Sequence, residues 1–143
     1  MKILLAYDGF ERSARALEEA ATLVSERQGS ITVLSVVPPD ARGSKSGGHV
    51  GLRPHAHEDV ARAHAFLHER GIDAEMRIAF GDPAEEILAV ACAAPYDLIV
   101  MGSRGFGPLK GVLLGSVSRR VLADPPCGVL VVTPEARIAA LAS

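Results

Sequence analysis

The chain predicts an α/β fold, a doubly wound parallel sheet with helices on both faces, in one domain spanning residues 1–143. Three observations lead there. Five short apolar runs alternate with four longer stretches of helical spacing, the pattern of βαβ units joined by right-handed crossovers. Glycine or proline punctuates most junctions between them. A composition of 48% hydrophobic and 22% charged residues is that of a globular chain. A chain of this length can bury about two-thirds of its unfolded surface, so it needs neither disulfides nor a structural metal.

Taken in order, Lys2 to Tyr7 is almost wholly apolar, as a strand covered on both faces must be. Ser13 to Gln28 turns Ala16, Leu17, Ala20, Ala21, Leu23 and Val24 inward and its charges outward, with Gly29 as the stop. Ile31 to Val37 is the second strand, ended by Pro38-Pro39. Residues 40–56, rich in Gly, Ser and Pro, read as a flexible loop. Helix follows from His57 to Arg70, and Ala74 to Phe80 alternates as an edge strand does. Gly81-Asp82-Pro83 predicts a turn with Asp82 as N-cap and Pro83 at the first helical position of a helix running to Ala94. Asp97 to Met101 is strand, Ser116 to Ala123 helix, Gly128 to Val132 strand, and 134–143 a tail. The apolar first and fourth strands belong at the centre of the sheet. The last strand, if it is an uncovered edge, invites a homodimer through residues 128–132.

Fifteen Lys and Arg against seventeen Asp and Glu leave a formal charge of −2, which removes the case for a nucleic-acid binder. No 18-residue apolar stretch exists to cross a membrane, and the run before Asp8 is too short for a signal peptide, so a cytoplasmic location is expected. Cys92 and Cys127 form no CxxC pair; Cys92 reads as a buried helix residue and Cys127 as a small residue at a turn. His49, His55, His57, His64 and His68 read as a solvated helix face plus loop, and no metal site is expected.

Ligands of doubly wound sheets bind beyond the carboxyl ends of the strands, where strand order reverses. Two segments there carry chemistry: Asp8-Gly9 after the first strand, and Gly102 to Ser118 after the fourth. In the second, Gly102 and Gly105 let backbone approach a ligand. Gly115 precedes a helix whose free N–H groups at Ser116, Val117 and Ser118 can face an anion. Ser103, Ser116 and Ser118 add hydroxyl donors, and Arg104 and Lys110 add charge. A plain glycine loop with a Ser-capped helix is the alternative. Neither the Walker loop nor GxGxxG fits, because Lys110 precedes Gly111 and also stands where a third glycine should be.

The spacing Gly-x2-Gly-x9-Gly-Ser, at Gly102, Gly105, Gly115 and Ser116, resembles the nucleotide-binding signature of the universal stress protein family. Residues 3–9, 81–87, 97–105 and 126–132 are similar to that family's opening strand, its turn into the third helix, and its fourth and fifth strands. The resemblance implies a five-stranded parallel sheet of order 3-2-1-4-5 with four helices, and dimerisation through the last strand. It also implies membership of the ATP-binding subgroup, with ATP or another adenine nucleotide held with Mg²⁺ as a stress-response switch or adaptor. Asp8 would meet adenine or ribose and the Val36 backbone the adenine; Gly102, Arg104 and Gly105 would line ribose and phosphates, with Gly115, Ser116, Val117 and Ser118 on the phosphates. The chain departs from the family at Phe10, where a small hydroxyl residue is usual, and in the apolar Phe106-Gly107-Pro108. A slow ATPase or a self-phosphorylating protein using Ser116 or Ser118 is the alternative, but no residue stands out as its base, and no catalytic residue is assigned.

Overall fold

Ile3, Leu4 and Leu5 have no solvent exposure at all, which makes Lys2–Ala6 (β1) the centre of the sheet. The structure, a computed structural model, describes residues 1–9, 11–39, 55–102, 115–133 and 137–140. After β1 come α1 (Glu11–Arg27), β2 (Ser30–Val37), α2 (His55–Glu69), β3 (Asp73–Phe80), α3 (Pro83–Ala93), β4 (Leu98–Gly102), α4 (Ser116–Ala123), β5 (Gly128–Val132) and β6 (Arg137–Ala140). The first five strands are parallel in the expected order β3-β2-β1-β4-β5. The four expected helices are present; α2 begins at His55 and so takes in the end of the expected loop, the rest of which lies outside the described residues.

The period of two in the strands divides the core. Ile3, Leu5, Ile31, Val33 and Val100 pack with Ala16, Leu17, Ala20 and Val24 of α1 and Val60, Ala63 and Leu67 of α2. Leu4, Leu34, Ile99, Met101, Val129 and Val131 face the other way, onto Ala84, Ile87, Val90 and Ala91 of α3 and Val121 of α4. On this second side the Tyr96 hydroxyl donates to Thr32 Oγ1 at 3.0 Å, so two polar groups buried to 8% and 2% exposure satisfy each other. Strand β3 is an edge, as its alternation predicts: Ala74 and Ile78 pack against the first cluster while Met76 and Phe80 stay largely exposed.

Three expectations are corrected. The left-handed residue ending α1 is Gln28 (φ 50°), not Gly29; Gly29 is needed because a Cβ there would lie 2.0 Å from the Met1 carbonyl, which accepts the Ser30 N–H. Cys92 is exposed, because it lies one residue past the buried stripe ending at Val90 and Ala91. Finally, the β5 edge is not uncovered. Within the expected tail, β6 pairs antiparallel with β5 from Val132↔Arg137 to Val129↔Ala140. An apolar edge strand leaves a row of backbone groups to be satisfied, and a short return segment supplies them.

Candidate functional site

Strand β1 pairs with β2 on one side and β4 on the other, so the strand order reverses between β1 and β4. Their carboxyl ends lead into Asp8-Gly9 and Gly102, and Val36 sits near the same end of the neighbouring β2. Helix α4 ends only a short linker before β5, so its N-terminus, Gly115 to Ser118, lies toward the same carboxyl-end side. The fold thus brings Asp8, Val36, Gly102, Gly115, Ser116, Val117 and Ser118 to one side of the sheet. Arg104 and Gly105, with Ser103 and Lys110, lie outside the described residues.

On the β1 side, the Ser13 hydroxyl donates to Asp8 Oδ1 at 2.7 Å, and the Asp8 N–H donates back to Ser13 Oγ at 3.3 Å. This reciprocal pair joins the end of β1 to the first turn of α1 and orients an exposed carboxylate. Gly9 follows at φ +81°, and the space a side chain would take is filled by Asp59 of α2, whose Cγ stands 2.4 Å from where a Cβ would be. Asp59 is almost fully buried and ion-paired to Arg62 one turn on. Burial, reinforced by the Asp59 charge, raises the Tyr7 hydroxyl above its ordinary pKa, which keeps that ring neutral beneath the turn.

On the α4 side, the N-cap is Gly115, which offers no side-chain acceptor to the first-turn N–H groups. Those donors and the helix dipole therefore make an electropositive end. Ser118, in the first turn, is only 2% exposed, and its hydroxyl has no partner among the described residues. A buried hydroxyl left without a partner is costly, and one at a helix N-terminus suits a ligand oxygen. Further along α4, the Arg120 guanidinium reaches Asp82 Oδ2 at 2.7 Å and Glu85 Oε1 at 3.6 Å. Asp82 caps α3 as predicted, accepting the Glu85 N–H at 3.0 Å; that bond first, then Arg120, draws its pKa down. His64 and His68 stack with ring centroids 6.1 Å apart, and no group of three metal-ligand side chains occurs among the described residues.

Sequence reasoning missed Ser13, Asp59 and Arg120. Spacing within one segment could not reveal Asp59 or Arg120, since each acts on a turn far away along the chain.

A reversal of strand order with a positive-φ glycine turn on one side and a helix without a side-chain N-cap on the other defines a doubly wound α/β domain with a candidate site at the switch point. The chain belongs to the universal stress protein family, whose profile matches residues 1–133. It is 35% identical over 144 residues to universal stress protein YxiE of Bacillus subtilis, covering 92% of this chain and 97% of that protein. Among solved structures, universal stress protein UspA from Lactobacillus plantarum is similar with a TM-score of 0.77 at 26% identity, over 92% of this chain and 97% of that one. The Archaeoglobus fulgidus universal stress protein in complex with dAMP shares the fold, with a TM-score of 0.70 at 24% identity over 92% and 96% of the two chains.

Proposed function

We propose that this chain binds an adenine nucleotide, ATP with Mg²⁺, and acts as a nucleotide-dependent switch or adaptor in a stress response. The observation that carries this is the start of α4: first-turn N–H groups without a side-chain cap, beside a buried Ser118 hydroxyl that has no partner among the described residues. Such an end attracts the oxygens of a polyphosphate. Ser116, Val117 and Ser118 then hold phosphates, with Gly102, Arg104, Gly105 and Gly115 lining them, while Asp8 and the Val36 backbone face ribose and base. When bound, Mg²⁺ neutralises charge on the polyphosphate. That a universal stress protein of this fold binds dAMP supports an adenine nucleotide as the class. The arrangement favours holding over turnover. The Asp8 carboxylate is tied to Ser13 on the β1 side, across the switch point from α4. Self-association through residues 128–132 belongs to the same proposal, and it requires β6 to yield that edge.

Equilibrium dialysis of the purified chain with ATP, ADP and AMP tests the proposal. Uptake is expected, and Gly115→Val abolishes it by placing a side chain where phosphate lies. A chain that takes up none of the three overturns the reading.

A further inference from the structure

The Gly81-Asp82-Pro83 turn links the carboxyl end of β2 to helix α4. Its Gly81 N–H donates to the Val37 carbonyl at 3.0 Å, next to Val36 at the carboxyl end of β2. Its Asp82 carboxylate accepts the Arg120 guanidinium from the second turn of α4. The same carboxylate caps α3, so the turn is itself pinned by the Glu85 N–H and cannot drift with Arg120. The guanidinium hydrogen-bonds Asp82 at 2.7 Å and lies 3.6 Å from the Glu85 carboxylate, so the charge of α4 faces the first turn of α3. Buried Val121 seats α4 on the sheet, and the ion pair adds a directional tie on its exposed side.

We infer that Arg120 is a positioning residue for the nucleotide site, holding the last turn of α4 to the carboxyl end of β2 through Asp82 and thereby setting where the phosphate-facing first turn lies. This rests on the nucleotide reading above. The brace touches no ligand. It sets the separation between the two ends, so it governs how well phosphates are held once the base is seated. A nucleoside, which lacks phosphates, does not depend on it.

The test compares ATP and adenosine affinities, by titration calorimetry or competition, for the wild type, Arg120→Gln, Asp82→Asn and the double variant. Asn is as good an N-cap as Asp, so Asp82→Asn keeps α3 capped while removing the charge, and it stands in should Arg120→Gln fold poorly. The ion pair is half exposed, so each single variant is expected to lose about two- to fivefold in ATP affinity. Adenosine affinity stays unchanged, and the double variant is no weaker than either single one, because both remove one interaction. Raising the salt narrows the gap between wild type and variant. If the variants bind ATP as the wild type does, or lose ATP and adenosine alike, the brace is refuted. If the wild type binds neither ligand, the nucleotide reading falls first and the brace falls with it.

Discussion

Gly9→Ala is expected to be among the most damaging single-atom additions near the site, and its cost divides into two parts that can be measured separately. An alanine at φ +81° carries the left-handed penalty of about 1–2 kcal/mol. Its Cβ would also stand 2.4–2.6 Å from the Asp59 Cγ and both carboxylate oxygens, far inside contact distance. Asp59 is 9% exposed and ion-paired to Arg62, so it cannot swing away freely, and forcing it costs a further amount of about 1–3 kcal/mol. The sum, about 2–5 kcal/mol, is a large share of a typical domain's stability of about 5–15 kcal/mol. Urea unfolding followed by far-UV circular dichroism measures it. In an Asp59→Ala background the overlap is gone, and Gly9→Ala then costs only the backbone part of about 1–2 kcal/mol; Arg62, 66% exposed, is left in water rather than stranded. A cost below about 1 kcal/mol for Gly9→Ala alone, or the same cost in both backgrounds, refutes the reasoning from these two causes.

Ser118→Ala removes a buried hydroxyl that has no partner among the described residues, so the nucleotide-free protein is expected to gain up to about 1–2 kcal/mol while ATP affinity drops about five- to tenfold. Thermal melts with and without ATP read both effects, and a loss of stability without a change in affinity contradicts the assignment. Tyr96→Phe strands the Thr32 hydroxyl at 2% exposure and costs about 1–2 kcal/mol in urea unfolding. The double change Tyr96→Phe with Thr32→Val recovers much of that, because both polar partners are then gone; a purely additive result argues that the bond is unimportant. Ending the chain at Thr133 removes β6 and bares the β5 edge, so sedimentation velocity is expected to show more dimer than the full chain at equal concentration. An unchanged distribution means that β6 does not guard that edge.

The sequence by itself determined the parallel core of the fold and pointed to a candidate site, because both are written in local pattern. Apolar runs such as 2–7 and 97–101 carry the pattern of strands covered on both faces, and Asp82-Pro83 that of a capped helix start. The glycine spacing from Gly102 to Gly115 was sufficient to single out the start of α4. Tertiary structure decided what neighbours do to one another. Gly29 looked like a helix stop and is instead the point where the chain passes the Met1 carbonyl. The edge of β5 looked open because the four residues that cover it have no strand signature of their own; their pairing depends on β5 already being in place. Asp59 beneath Gly9, and Arg120 on Asp82, join residues 50 and 38 positions apart, and each contacts a turn it does not belong to. Such pairings follow from packing, which fixes distances that spacing along a chain does not encode.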